Sequence, residues 1–268
     1  MSWKNIKTFL IILFLIINIY LIYSQYGFDF KSSNASYVNK DTLNDSVSII
    51  KNNYNVNIDK NIIPEKLNKL SIIDVTNIIY TDKFKNSAFK FETSGSGFNA
   101  HIETETYSYN EANAKSQFAG ILNNMGIDKS SYIIDVKKTD EGLVCKAKAR
   151  IKPYDIFNTG IKAVFAPKKI NLSGTWYIAE EGILEKNKKK DDMADIPSVL
   201  IDLADWSSKS EGSPKTITGF SYGYYVSSYD ENSASKTSSA IPCYMLTTDE
   251  GLKYYYDSLN GKRLKQEE

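Results

Sequence analysis

The sequence has few of the side chains on which most enzymes and metal proteins rely. It contains one histidine, His101, and two cysteines, Cys145 and Cys243, in 268 residues. It also lacks an excess of charge of either sign, since 33 basic and 32 acidic residues leave a net charge of +1, which gives no reason to expect nucleic-acid binding. No phosphate-binding loop, dinucleotide-binding turn or Cys/His cluster is present. We therefore expect no cofactor, no small-molecule substrate and no assembled catalytic site.

Long apolar runs are missing as well, except for one near the start. Residues 8–23 are interrupted only by Asn18, and with their flanks they reach about 20 residues, which is enough to cross a bilayer as a helix. Lys4 and Lys7 precede the run, so the positive-inside rule predicts a cytoplasmic N-terminus and an external remainder. No small-x-small cleavage site or lipoprotein cysteine follows. The sequence thus predicts an uncleaved signal anchor in the cell membrane with a single span.

Asn18 is the polar residue of this anchor, and two readings are open. It is either a tolerated polar group near the outer end of the span or a hydrogen-bonding contact to a partner span. Such an interhelical bond contributes about 0.6–2 kcal/mol.

The rest of the chain alternates helical and strand patterns, which predicts an α+β fold. A capping box of Ser108 and Glu111 and a stop at Gly126 indicate a helix over residues 108–125. Asp195 and Pro197 begin a later helix. A further helix is predicted at residues 41–53, and strands at residues 72–80, 88–93, 98–107, 132–138, 143–152, 175–184, 218–226, 241–248 and 252–257.

A lysine-rich stretch at residues 186–192 is the best domain boundary. It is typical of a solvated linker, with contact to an anionic wall polymer or lipid as the alternative. The predicted division is a cytoplasmic head and anchor (1–29), a first external α+β lobe (30–186) and a C-terminal α+β lobe (187–268). In each lobe a helix is expected to pack on an antiparallel sheet.

The two cysteines lie on the apolar phase of predicted strands. Because cysteine packs as a small hydrophobe, two buried free thiols are favoured over a disulfide between Cys145 and Cys243. Tyrosine is abundant, at 19 residues, and its amphipathic ring is favoured at protein interfaces. In the C-terminal region we single out four tyrosines as interface residues: Tyr222, Tyr224, Tyr244 and Tyr255.

Three patterns suggest chemistry but fit a structural reading better. His101, Glu103 and Glu105 share one strand face and include metal-binding atoms, yet a solvent-exposed face is favoured. Residues 219–223 match the Gly-x-Ser-x-Gly nucleophile elbow but lie within an alternating strand, with no later histidine. Ser233 and Lys236 match Ser-x-x-Lys, as do residues 87–90, without the accompanying motifs of penicillin-binding enzymes.

The two ends of the chain together resemble the YycI family of membrane-anchored accessory proteins. Residues 1–8 read Met-Ser-Trp-Lys-Asn-Ile-Lys-Thr and run directly into the apolar anchor. The C-terminal match comprises Gly-Tyr-Tyr at 223–225, Ile-Pro-Cys-Tyr-Met-Leu at 241–246, Tyr-Tyr-Tyr at 254–256 and Asn-Gly-Lys at 260–262. This end is similar to the PepSY-like C-terminal segment of the family. Two positions differ, since Tyr244 replaces the usual Trp and Ser258 lies near the position where the family often has Ala. The middle of the chain matches the family only in the order of its predicted helices and strands.

The resemblance implies a non-enzymatic regulator of a sensor histidine kinase of the WalK/YycG type, working beside a YycH-like companion in the control of cell-wall metabolism in a Gram-positive organism. It also implies a PepSY-like C-terminal module. Two alternatives stay open: an inhibitor or chaperone of an external peptidase, and, further off, a serine acyl hydrolase that uses Ser233 and Lys236.

Overall fold

The computed structural model describes residues 14, 17–18, 35–85, 89–106, 108–140, 142–180, 183–186, 192–209, 216–227 and 237–267. The fold of this part of the chain is α+β, as predicted, with a large mixed sheet and few helices. The helices are α1 (Lys40–Tyr54), α2 (Asp82–Lys85), α3 (Glu111–Asn124), α4 (Ile183–Lys186) and α5 (Ile196–Ser208). The strands are β1 (Ala35–Tyr37), β2 (Asn57–Ile58), β3 (Lys66–Asn68), β4 (Ile73–Asn77), β5 (Phe91–Ser94), β6 (Gly97–Glu103), β7 (Tyr132–Thr139), β8 (Gly142–Ile151), β9 (Tyr154–Ala166), β10 (Lys169–Thr175), β11 (Tyr177–Ala179), β12 (Thr216–Ser227), β13 (Thr237–Thr248), β14 (Lys253–Asp257) and β15 (Arg263–Glu267).

Within the described ranges, none of the helices combines the length and the apolar character that crossing a bilayer requires. The predicted anchor lies mostly outside these ranges, which include only Phe14, Ile17 and Asn18 from it, all three in helical conformation. The anchor therefore stays a prediction.

One half of the sheet is built from strands that are close neighbours along the chain. In the order β7-β8-β9-β10-β6-β5, every adjacent pair is antiparallel. We call these six strands the hairpin sheet. The buried face of α3, which contributes Ala114, Phe118, Ile121 and Leu122, lies in the same core as Cys145, Ile161 and Phe165 of this sheet.

The other half gathers strands from distant parts of the chain, and we call it the composite sheet. Its order is β11-β4-β13-β12, with β14 and β15 added beyond the far end of β13 and β2 parallel to β12. Helices α1 and α5 pack against each other and share a core with the tyrosines of β13 and β14. The two halves are joined where β12 runs parallel to β9, at Tyr224 and Ile156. Strands β1 and β3 form a separate antiparallel pair.

These pairings connect segments on both sides of the boundary predicted at residue 187. Strand β4 pairs with β13, and α1 shares a core with α5. The hydrogen-bonded sheet is therefore continuous across that position. How the chain divides into domains stays a prediction.

The helix ends confirm most of the capping signals and correct one. Helix α3 begins after Asn110, not at the predicted box of Ser108 and Glu111, because the side chains of Asn110 and Asn113 bond each other's backbone N–H groups at 2.8 and 2.9 Å. Its predicted end is confirmed, since Gly126 has φ +86° and the Ile127 N–H donates to the Leu122 carbonyl at 2.9 Å. Helix α5 begins after Asp195, as predicted.

Several predicted strands are shorter than expected, among them the strand expected over residues 98–107, which ends as β6 at Glu103. Strand β4 stops at Asn77, because the side chain of Asn77 accepts a hydrogen bond from the Ile79 N–H at 3.2 Å and begins a 3-10 turn. The strand expected over residues 175–184 is reduced to β11, after which the chain turns into α4. The prediction missed β9 and β10 altogether, although their apolar residues alternate.

Candidate binding cleft

The four tyrosines predicted as interface residues lie on the central strands of the composite sheet. Tyr224 is fully buried, Tyr244 and Tyr255 are each 1% exposed, and Tyr222 is half-buried. Tyr222 contacts the ring of Tyr244 at a centroid distance of 5.5 Å. In this conformation the rings pack mainly within the chain, and their part in an interface stays a prediction.

The hydroxyl groups of these tyrosines hold the sheet to the segments that pass over it. Tyr244 donates to the carbonyl of Ala194 at 3.0 Å, and Tyr224 donates to the carbonyl of Ser71 at 3.4 Å. On β14, Tyr256 donates to an Asp202 carboxylate oxygen of α5 at 3.1 Å. A buried tyrosine needs such a partner for its hydroxyl, so these bonds give the cluster a structural role.

Burial also keeps these groups chemically inactive near neutral pH. It raises the pKa of Tyr222, Tyr224 and Tyr244 well above the ordinary phenol value. Burial raises the pKa of the Cys145 thiol to about 11 and that of Cys243 further. Both cysteines are free and buried, as favoured from the sequence. Protonated thiols and phenols of this kind do not serve as nucleophiles or bases at neutral pH.

The other residues noted in the sequence do not converge on one site. His101 and Glu103 lie exposed on β6, as the solvent-face reading predicts. Among the residues that the structure describes, no three His, Cys, Asp or Glu side chains are placed to hold a metal ion. Residues 219–223 lie within β12, so they form no nucleophile elbow. Ser233 and Lys236 fall outside the described residues.

Asn18 is described and is helical. Its side-chain amide donates to the carbonyl of Phe14 at 2.8 Å, one turn earlier in the same helix. This bond uses one of the two N–H groups of the amide. A contact from Asn18 to a partner span stays a prediction.

A concave cleft of about 510 Å³ lies beside β11. Its lining comes from three regions, namely the turn after α3, the end of β8, and β11 with the residues that follow it. The full set is Gly126, Ile127, Asp128, Ser130, Ser131, Arg150, Ile151, Lys152, Trp176, Tyr177, Ile178, Ala179, Glu180, Ile183 and Leu184. The volume lies within the range of about 300–1,000 Å³ that is usual for ligand clefts.

The cleft runs along the edge of β11 and not over one of its faces. Side chains of successive strand residues point to opposite faces of a sheet, so a cleft over one face would meet only every second residue. Here all five residues from Trp176 to Glu180 line it. Among the described residues, strand β11 ends the strand order and pairs on one side only, with β4.

The charged side chains of the cleft come from its opposite wall and from the end of β11. Arg150 pairs with Asp155 at 2.7 Å and also donates to the Pro153 carbonyl at 3.0 Å. Asp128 accepts a hydrogen bond from the Ser130 N–H at 2.6 Å, and hydrogen bonds from Ser130 lower the pKa of this carboxyl. The nearby Lys152 adds a smaller electrostatic contribution in the same direction.

A second, smaller cavity of about 240 Å³ lies next to the tyrosine cluster. Tyr154 and Tyr224 line it together with Lys69 and Ser71. Tyr154 accepts a hydrogen bond from the side chain of Asn68 at 3.2 Å. The polar groups here are therefore already bonded within the chain.

Sequence reasoning did not identify the residues of the larger cleft. Trp176 and Tyr177 were expected only as part of a longer strand, and Lys152 only as a strand end. The available signal was the break of apolar alternation after Ala179, at Glu180-Glu181-Gly182, which marks a short terminal strand. No local pattern shows that residues 126–131 face that strand.

Comparisons with known proteins give little to add to this geometry. No family model matches the chain, and no curated protein matches it. Among solved structures, an uncharacterized protein from Eubacterium rectale has 10% identity and a TM-score of 0.43, over 74% of this chain and 86% of its own. The C-terminal domain of Bacillus megaterium YpeB has 11% identity and a TM-score of 0.33, over 86% of this chain and 97% of its own. At such scores neither likeness carries an argument about function.

Proposed function

We propose that this chain is a membrane-anchored, non-enzymatic accessory protein that acts outside the cell membrane by binding another protein. The observation that carries this proposal is the cleft beside the unpaired edge of β11, a concave surface with backbone and apolar groups on its walls.

More specifically, we propose that the partner is a sensor histidine kinase of the WalK/YycG type, together with a YycH-like companion. The support is the residue-level resemblance of the chain's two ends to the YycI family and the apolar run with Asn18. For the fold, we propose a PepSY-like C-terminal module in which α5 covers the strands β12 to β14. In the first lobe, α3 covers the hairpin sheet.

The test is kinase-dependent transcription in cells that carry variants of the chain. Removal of residues 1–26, or Asn18→Leu, is expected to change the output of the kinase, because both alter the contact within the membrane. Asn52→Leu, on the exposed face of α1, is the matched control and should leave the output unchanged. Unchanged output in both the deletion and Asn18→Leu would refute the kinase proposal.

A second candidate is an inhibitor or chaperone of an external peptidase. The observation that favours it is the same edge cleft, since peptidases and their inhibitors often meet through extended segments. Co-purification of the full chain from membranes with the kinase, or with a peptidase whose activity it alters, separates the two proposals.

The serine acyl hydrolase alternative is tested on its own. Labelling of Ser233 by a β-lactam or fluorophosphonate probe, lost in Ser233→Ala, would support an enzyme. Absence of labelling at Ser233 would leave the binding proposals.

A further inference from the structure

We propose that the free edge of β11 accepts an extended segment of a partner protein, with apolar side chains at alternate positions, as an added strand. This inference rests on the proposed binding function and specifies the kind of ligand that the cleft takes.

The backbone of β11 presents an unused row of hydrogen-bonding groups. The Trp176 carbonyl accepts a hydrogen bond from Ile78 of the β4 segment at 2.9 Å, and Ile178 is opposite Thr76. Since the N–H and C=O of successive strand residues point to opposite sides, those of Tyr177 and Ala179 point away from β4. Within the described residues these groups have no hydrogen-bond partner.

The walls of the cleft suit one extended chain. The lining of the cleft includes the apolar side chains of Ile127, Ile151, Ile178 and Leu184. A strand added to an edge lies about 4.8 Å away and points alternate side chains to each side. The position of β11 in the cleft also limits non-specific pairing with other chains, to which an open strand edge is prone.

The charged side chains of the cleft are balanced among themselves. Arg150 is paired with Asp155, Lys152 lies near the Asp128 carboxylate, and Glu180 has a partner within the chain. The charges therefore do not select a segment of one sign, and recognition rests on the backbone of β11 and on the apolar side chains of the lining.

The test uses a random nine-residue peptide display library as probe against the full chain in detergent. Selected peptides are expected to carry apolar residues at alternate positions. Ala179→Pro removes an outward N–H and leaves the Ile178 bonds to β4, so affinity for the selected peptides should fall at least tenfold. Ala179→Ser keeps the N–H and is the matched control, with binding unchanged.

Hydrogen exchange should show the amides of Tyr177 and Ala179 becoming protected when a selected peptide binds. No enrichment over a detergent-only surface, equal binding by Ala179→Pro, or protection elsewhere in the chain would overturn the proposal.

Transcription assays separate this inference from the proposed function. If peptides bind as expected but deletion of the whole chain leaves kinase output unchanged, strand addition stands and the kinase proposal fails. If deletion changes the output while the cleft variants bind the selected peptides like the unchanged chain, the kinase proposal stands and strand addition fails.

Discussion

The hairpin sheet and the composite sheet differ in how far apart their strands lie along the chain. Four of the five pairings in the hairpin sheet join consecutive strands, whereas the composite sheet pairs β4 with β11 and β13. Closing long loops has an entropic cost before the contacts form. Strand β11 follows β10 directly along the chain, so the connection between the hairpin sheet and this strand of the composite sheet is short.

The two halves also differ in the aromatic residues of their cores. Near the hairpin sheet, Phe84 stacks on Phe91 at a centroid distance of 4.2 Å and meets Phe98 at 5.2 Å. The composite sheet uses tyrosines, whose hydroxyls bond overlying segments, as Tyr244 does with Ala194. Phenylalanine has no polar atom that needs a partner, while a buried tyrosine also fixes the position of its hydrogen-bond partner. A core of tyrosines suits a half that is assembled from distant segments.

The largest expected effect comes from opening either core. Phe118→Ala, in α3, should lower the free energy of unfolding by about 3–5 kcal/mol, and Leu200→Ala, in α5, by about 2–5 kcal/mol, because both side chains are fully buried. The two cysteines report on the two halves, since Cys145 lies on β8 and Cys243 on β13. Maleimide labelling across a urea series, read by mass spectrometry, measures the exposure of each thiol.

We expect both thiols to become reactive at the same, lower urea concentration in each variant. The reason is that Tyr224 and Val226 of the composite sheet lie in the same core as Phe118, so the halves are not independent. If Phe118→Ala exposed Cys145 long before Cys243, the halves would be separate folding units.

The next effect concerns the junction between the halves. A Cβ atom on Gly223 would lie 2.4 Å from the Asp155 carbonyl oxygen of β9, a backbone atom that cannot turn aside. Gly223→Ala should therefore lower the free energy of unfolding by about 1–3 kcal/mol, measured by urea denaturation. Gly219→Ala is the control on the same strand, because its closest neighbour, at 3.1 Å, is the Thr247 side chain. Equal losses in the two variants would contradict a special role for the junction.

The comparison also shows which features the sequence could predict. Helix α5 and strands β7, β8, β12 and β14 were found because caps and apolar alternation are local signals. The unpaired edge of β11 was not, because an edge is defined by the absence of a second neighbour, and pairings between distant strands such as β4 and β13 leave no local trace. The cleft depends on the edge of β11 and on pairings between distant strands, so its residues could not be recognised from the sequence alone.

A smaller effect is expected in the helix of the hairpin half. Gly120 lies exposed inside α3, and a Cβ atom there meets nothing within 4 Å. Gly120→Ala should raise the free energy of unfolding by about 1 kcal/mol, because alanine loses less backbone freedom on folding. Gly126→Ala is the matched control at the end of the same helix, where φ is +86° and the Cβ would lie 2.8 Å from Lys83, so it should destabilise. Thermal unfolding of the two variants measures both changes in stability. A higher stability of both variants would be inconsistent with the left-handed conformation of Gly126 at the end of α3.

The smallest effect is a difference in how the two halves respond to acid. On the hairpin sheet, Asp135 of β7 pairs with Lys148 of β8 at 2.7 Å, and this bond lowers the pKa of Asp135. A carboxyl whose folded pKa lies below its unfolded value stabilises the fold above the unfolded pKa, and this stabilisation is lost as the pH falls through the folded pKa. The pair is largely exposed, so its contribution is about a few tenths of a kcal/mol. Asp135→Asn should therefore weaken the loss of stability between neutral pH and acid, as read from Cys145 labelling at several pH values.

The matching pair of the composite half predicts the opposite pH dependence. Asp205 bonds Lys209 at 2.6 Å within one turn at the end of α5 and raises the pKa of Lys209. Its contribution is present below the unfolded lysine pKa and is lost as the pH rises through the folded one. Asp205→Asn should thus weaken the loss of stability as the pH rises through the lysine range, as measured by urea denaturation at several alkaline pH values. If Asp205→Asn left this alkaline dependence unchanged, its assignment to the pair at the end of α5 would be wrong.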